Sequence, residues 1–211
     1  LRPDGIEWPR EEGLPSFRLE MLAAANGIAH ASAHDALSDV RATLEFARLL
    51  RRRQRRLFDY YLTLRSRDRL HLLLRPERPQ MCVHVSRMFP RERGCTAIVI
   101  PLARHPQNRN SIIVADLGCD ERLLVEWDAD RLRDALFGVD VEQRPPLKEV
   151  RLNRCPFVAP LRVLRPQDIA RLDLDLDAAQ RRFDVLHAHA NLAEKIGTVY
   201  AGRAHARDVD A

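Results

Sequence analysis

His34 and Asp39 stand five residues apart in the segment Asn26-Gly-Ile-Ala-His-Ala-Ser-Ala-His34-Asp35-Ala-Leu-Ser-Asp39-Val40. The imidazole offers a base for an attacking water, and the carboxylate offers the hard oxygen that Mg²⁺ prefers. Helix geometry limits how they can meet. Five residues turn through about 500° at 3.6 residues per turn, which leaves the side chains roughly 140° apart on one helix. For both to reach one site, His34 must lie in the loop entering the helix and Asp39 within its second turn. The polar stretch Ser32 to His34, just before the helix start, permits this. An exposed histidine and an N-terminal aspartate that complements the helix dipole would read the same way. The spacing alone favours that second reading.

The elements around this pair are legible. Residues 1–15 hold Pro3, Pro9 and Pro15 and read as loop. Ser16 is the expected N-cap of a first helix through Leu19, Leu22 and Ala23, which Asn26-Gly27 closes with a left-handed cap. A second helix is expected from about Asp35 to Arg53. Its apolar stripe is Ala36, Val40, Leu44, Ala47 and Leu50, and Arg41, Glu45, Arg48 and Arg52 lie outside. The basic run Arg51 to Arg56 reads as helix end and linker. From about residue 57 the pattern changes. Short segments rich in β-branched residues at 81–86, 96–102, 111–117, 122–127, 148–153 and 155–159 predict strands. A helical insert at 130–137 and a helical tail from Pro166 complete a β-barrel or sandwich unit. The expected units are residues 1–54 and 55–205. The first is short for an independent core, so an exposed apolar patch along Ala36, Val40, Leu44 and Ala47 and poor solubility in isolation are expected. Trp8, Trp127 and the cysteines are expected in packing.

The chain has 211 residues, 45% hydrophobic and 31% charged, with a mean hydropathy of -0.35. No apolar run approaches the roughly 18 residues of a membrane span. The first fifteen residues carry charges and prolines, so no signal peptide is expected. Leu1 in place of a methionine marks an expected internal piece of a longer protein. Cys82, Cys95, Cys119 and Cys155 form no C-x-x-C pair, which argues against zinc and a disulfide scaffold and for a cytoplasmic setting. The formal charge is +5, and Lys148 and Lys195 are the only lysines. Arginine enrichment suits phosphate recognition, because a guanidinium grips oxygens through two donors.

A resemblance sharpens these options. The stretches LRPDGIEWP, GLPSFRLE, ANGIAHASAHDALSDV, RRLFDYYLTLRSRDRL, HVSRMF, PLARHPQNRN, NRCPFVAP and LRPQDIARL resemble the bacterial exonuclease I family, single-strand-specific 3′→5′ exodeoxyribonucleases, from Leu1 to about Lys195. AHDALSDV is similar to the third exonuclease motif of the DEDDh nucleases. The resemblance implies an α/β plus β fold: the C-terminal part of a ribonuclease H-like exonuclease domain at 1–54, then an SH3-like β-barrel domain at 55–205 that clamps single-stranded DNA. It implies that His34 is the general base and Asp39 a ligand of one of two Mg²⁺ ions, with Mn²⁺ as an alternative. Those ions flank the scissile phosphate and yield 5′-mononucleotides. The family's upstream Asp-x-Glu pair and further Asp have no counterpart here, so the chain alone is expected to be inactive.

The resemblance also implies that Arg18 faces the substrate. Arg67, Asn110, Lys148 and Asn153 fall in expected DNA-facing loops, with Tyr60 and Phe137 against bases. Arg2, Tyr60 and Arg165 match a pocket for the acidic C-terminal tail of single-stranded-DNA-binding protein, although Pro160 stands at one pocket position. His105 to Asn110 is either a DNA-facing loop or a turn that satisfies its own backbone. A monomer is expected, without membrane contact. A non-catalytic module for single-stranded DNA or an acidic peptide is the competing function.

Overall fold

The computed structural model describes residues 4–30, 35–139 and 141–201. Those residues form two compact units. One holds the residues up to Thr63 together with Arg87–Cys95, and the other holds Leu64–Ser86 and the residues from Thr96. The sequence reading divides the chain at 54/55, whereas the units divide at Thr63 and Leu64.

The first unit starts with a two-residue hairpin, β1 (Arg10–Glu11) against β2 (Leu14–Pro15). Helix α1 (Leu19–Ala25) follows. Its N-cap position is Arg18, not Ser16. The Ser16 hydroxyl is buried and makes no hydrogen bond, so it cannot serve the helix end. The C-terminus closes as expected. Gly27 adopts φ +64, its N–H donates to the Ala24 carbonyl (3.3 Å), and the Ile28 N–H donates to the Ala23 carbonyl (2.9 Å). This pair of bonds is a Schellman cap, which needs the left-handed residue that glycine supplies. The Asn26 side chain fastens the approach, donating to the Glu7 carbonyl (2.8 Å) and accepting from the Glu7 N–H (3.0 Å).

Helix α2 spans Ala36–Arg53, and its N-cap Asp35 accepts from the Ser38 N–H at 2.9 Å. The arginines of its last turn oppose the negative end of the helix dipole. The expected linker at 51–56 is shorter than read: only Gln54 breaks the helix, and α3 (Arg55–Thr63) begins at once and packs on α2. The Gln54 carbonyl accepts from the Phe58 N–H (2.9 Å), so backbone bonding continues through the kink. The change of pattern expected near residue 57 therefore comes later. Trp8 packs edge-on against Phe46 with ring centroids 6.2 Å apart. The guanidinium of Arg91 grips the Pro15 carbonyl through Nε and one terminal nitrogen (3.1 and 2.7 Å).

Ala42 is the buried residue of α2. The apolar stripe read from the sequence lies largely outside, with Val40 63% and Leu44 48% exposed and Leu37 beside them. Two adjacent exposed aliphatic side chains favour self-association. Val40→Lys with Leu44→Lys is expected to abolish concentration-dependent light scattering of the chain while leaving its melting temperature unchanged.

In the second unit α4 (Arg67–Leu73) precedes the strands β3 (Cys82–Val85), β4 (Thr96–Arg104), β5 (Ser111–Asp116), β6 (Leu147–Arg151) and β7 (Phe157–Pro160). They form one antiparallel sheet in the order β6-β5-β4-β3-β7. β4 is near-continuously apolar and buried, as a central strand covered on both faces should be. Pro101 has no N–H for the ladder, and the β4–β5 register shifts between Pro101 and Ala103. A bulge is where a central strand tolerates proline.

The segment at 122–127, expected as a strand, is helix α5 (Arg122–Glu126). Asp120 accepts from the Arg122 N–H and starts a helical turn, and a short apolar run does not by itself distinguish strand from helix. Helix α6 (Ala129–Phe137) is the expected insert, and α7 (Pro166–Arg171), α8 (Leu176–Ala188) and α9 (Leu192–Ala201) form the tail. The core joins Ile98, Ile100, Ile113 and Leu147 of the sheet to Leu124, Leu132, Leu186 and Ile196 of the helices. Cys82 and Cys95 are buried as expected, but Cys119 and Cys155 are exposed. Among the described residues no helix is long and apolar enough to cross a membrane.

His84 is buried in β3, and its Nδ1 lies 2.8 Å from the Phe157 carbonyl of β7. Burial pushes its pKa below the usual imidazole value, against a smaller opposing effect of that carbonyl. The unfolded chain therefore binds the proton more readily. Stability is complete above the unfolded value of about 6.5 and is lost as pH falls from there towards the folded value. The urea midpoint is expected to drop between about pH 7.5 and pH 5.5, and His84→Asn, whose amide still reaches the carbonyl, is expected to flatten that slope.

Candidate nuclease and nucleic-acid-binding residues

Asp39 lies at the end of the first turn of α2, slightly earlier than the second turn expected. Its Oδ1 is 2.7 Å from Nε2 of His30, whose side chain is 7% exposed while that of Asp39 is 42% exposed. His30 was not singled out from the sequence, where it opens a short polar stretch. The signal was its place directly after a glycine-capped helix end, nine residues before the carboxylate. His34 and Arg2 lie outside the described residues.

Asp39 is a hard oxygen donor, half exposed, and so fits as one ligand of a Mg²⁺ ion. Among the described residues no three His, Cys, Asp or Glu side chains cluster closely enough to hold a metal ion.

Arg18 is the residue before α1 rather than a residue on it, and it is paired with Glu11 (3.1 Å) and Glu20 (3.0 Å). Its side chain is 61% exposed, and such surface pairs contribute about 0–1 kcal/mol, so a phosphate can displace them. Tyr60 sits half-buried on α3, and Arg67 is the exposed first residue of α4.

In the second unit the sheet draws two predicted residues together. The Leu152 N–H donates to the Asn110 carbonyl (2.7 Å), and Ser111 pairs with Arg151, so Asn110 and Asn153 flank the same end of the β5–β6 ladder. Lys148 lies further along β6, opposite Val114. Phe137 packs edge-on against Tyr200 (5.5 Å), which in turn meets the His105 ring (5.3 Å). Its ring is engaged with the protein core.

The 105–110 loop bonds largely to itself. His105 Nδ1 accepts from the N–H groups of Gln107 and Asn108 (3.1 and 3.2 Å), and the Asn110 N–H donates to Asn108 Oδ1 (3.1 Å). Glu149 Oε1 accepts from the Ser111 hydroxyl (2.6 Å) and Asn108 Nδ2 (3.3 Å). Burial alone would raise the Glu149 pKa, but the bonds from Ser111 and Arg151 outweigh it and hold the carboxylate ionised. The loop therefore satisfies much of its own hydrogen bonding, as the turn alternative expects, and Arg109 within it is exposed.

Arg165 caps α7 and is strongly committed. Its Nε and one terminal nitrogen meet the two oxygens of Asp168 (2.9 and 3.1 Å), and Arg171 adds a third guanidinium bond (3.0 Å). Asp168 is buried and was not picked out from the sequence.

The second unit defines the class, an SH3-like β-domain: a family model described as the exonuclease I SH3-like domain matches residues 65–202. Exodeoxyribonuclease I of Escherichia coli (strain K12) is 43% identical over 206 residues, covering 95% of this chain and 43% of its own length. A solved structure of E. coli exonuclease I with a dT13 oligonucleotide superposes with a TM-score of 0.91 at 43% identity, covering 95% of this chain and 44% of the other. An exonuclease I complex with SSB-Ct gives a TM-score of 0.89 at 42% identity over the same shares, and a zinc-bound E. coli complex with single-stranded DNA is also similar, at 0.87 and 43%. The chain belongs to the exonuclease I family. It spans less than half the length of the curated relatives it matches.

Proposed function

We propose that this chain is part of a single-strand-specific 3′→5′ exodeoxyribonuclease that releases 5′-mononucleotides. The observation that carries the reading is Asp39, a carboxylate held in place on the first turn of a helix, within a chain 43% identical to E. coli exodeoxyribonuclease I. Two Mg²⁺ ions, or Mn²⁺, supply when bound a polarised water and a stabilised leaving oxygen. Asp39 contributes one anionic oxygen donor, and His34 takes the proton of the attacking water. The residues up to about 63 belong to the exonuclease domain and those from about 64 to the domain that clamps the strand, a later boundary than the 54/55 read from the sequence. Arg18, Arg67 and Lys148 neutralise phosphates; Asn110 and Asn153, at one end of a ladder, bond to sugar or phosphate; Tyr60 lines the path of the bases, whereas Phe137 stays in the packing around Tyr200. Arg2, Tyr60 and Arg165 receive the acidic tail of single-stranded-DNA-binding protein through charge-assisted hydrogen bonds, in keeping with the SSB-Ct complex of a relative. The protein acts as a cytoplasmic monomer.

The competing reading is a non-catalytic module that binds single-stranded DNA or an acidic peptide, and the arginine-rich composition suits either partner. The test is a 3′→5′ nuclease assay with Mg²⁺ on single-stranded DNA, run on this chain and on the full-length protein, beside a fluorescence-anisotropy binding titration. Activity in the full-length protein and binding alone in the chain supports the proposal. A full-length protein that binds single strands but never releases mononucleotides makes the family member a binding module.

A further inference from the structure

We infer that His30 is a positioning residue for the Asp39 carboxylate, an inference that rests on the reading of Asp39 as a metal ligand. The Schellman cap at Asn26-Gly27 ends α1 and turns the chain, so that Ile28 bonds back to Ala23 and His30 follows two residues later. Helices α1 and α2 pack together, which brings that short segment against the first turn of α2. There the imidazole is almost wholly covered, and its Nε2 reaches Asp39 Oδ1 at 2.7 Å. A carboxylate only accepts, so Nε2 carries the proton and donates. The length is that of a charge-assisted hydrogen bond, stronger than a neutral one.

The consequence is geometric. A free aspartate at a helix start samples several rotamers and competes for nearby backbone N–H groups. Holding Oδ1 restricts the plane of the carboxylate while the side chain as a whole stays 42% exposed, so Asp39 can present an oxygen over a narrow range of directions. Mg²⁺ demands near-ideal octahedral geometry, so a ligand that arrives already oriented binds it at a smaller entropic cost. His30 touches neither substrate nor ion; it acts through Asp39.

The test uses the full-length protein, with Mn²⁺ as the probe ion and electron paramagnetic resonance to count free ion. His30→Leu removes the donor. His30→Gln keeps one, because Gln Nε2 can occupy the place of the imidazole nitrogen. His30→Leu is expected to weaken Mn²⁺ binding by about 10- to 100-fold, the usual effect of losing such a supporting bond. His30→Gln is expected to bind close to the parent. The turnover of His30→Leu should fall at limiting Mn²⁺ and recover as Mn²⁺ is raised, with KM for single-stranded DNA unchanged. Thermal melts separate this from misfolding, since all three proteins should unfold together. His30→Leu binding Mn²⁺ like the parent overturns the inference. So does a His30→Gln as weak as His30→Leu, because the imidazole would then do something an amide donor cannot. Asp39→Asn is the control: if it binds Mn²⁺ like the parent, the metal-ligand reading itself has failed and this inference falls with it. A weak Asp39→Asn beside an unchanged His30→Leu sinks the inference alone.

Discussion

His34→Ala in the full-length protein lowers kcat on single-stranded DNA by about 10²- to 10⁴-fold, the span expected for losing a positioned general base. Mn²⁺ affinity and KM for DNA stay near the parent values, because the imidazole is proposed to take a proton and to hold neither ion nor strand. Raising the pH supplies hydroxide in place of the missing base, so the variant's rate should climb with pH where the parent's is flat. Asp39→Asn behaves differently. It removes an anionic oxygen, so Mn²⁺ binding and kcat fall together and alkali does not rescue the rate. The two variants therefore separate base from ligand through the metal titration and the pH profile. A His34→Ala protein that loses Mn²⁺ affinity as Asp39→Asn does makes His34 a ligand. One that keeps more than roughly a tenth of the parent's kcat removes it from the proton transfer.

The parts of this fold that were legible in the sequence are those written in local chemistry. The glycine cap at Gly27, the helix start at Asp35 and the arginines ending α2 are each short-range signals, and each is where it was expected. The strands from residue 81 onward were legible because β-branched runs alternate with turn residues. The misses have physical causes. Leu123-Leu124-Val125 is too short for its period to show, and the turn begun at Asp120 decided it. Ser16 has the chemistry of a cap but is buried two residues before the N-cap position. The stripe on α2 was legible as a pattern, and its exposure at Val40 and Leu44 agrees with the patch expected there. At the site, resemblance marked His34 and Asp39, but the one local cue to His30, its place after the glycine cap, does not name its partner, which stands nine residues further along the chain. Asp168 was hidden for the same kind of reason: it is unremarked in Pro166-Gln-Asp168 until Arg165 and Arg171 close on it.

Asp168→Ala is the substitution expected to damage the second unit most. One buried carboxylate accepts from Arg165 Nε (2.9 Å), a terminal nitrogen of Arg165 (3.1 Å), the Arg165 N–H (3.2 Å) and Arg171 (3.0 Å). Removing it leaves two guanidiniums facing each other without their shared counter-charge and strips α7 of its N-terminal acceptor. Losing one member of a buried ionic group costs about 3–5 kcal/mol. The arginine side chains are 34% and 32% exposed and can recover some hydration, so the lower end of that span applies here. Urea unfolding should show a lower midpoint with an unchanged slope, because the surface exposed on unfolding is the same. Added salt should alter the loss little, since the carboxylate is 2% exposed and poorly screened. Asp168→Asn keeps the shape and one acceptor but turns an N–H₂ towards the guanidiniums, so it should fall between the two. The functional corollary concerns Arg165. Its planar fork is aimed by Asp168, so an acidic peptide that uses Arg165 should bind Asp168→Ala more weakly even where the chain remains folded. An Asp168→Ala chain with the parent's urea midpoint and peptide affinity would mean that both guanidiniums hydrate freely and that Arg165 is oriented by the peptide itself.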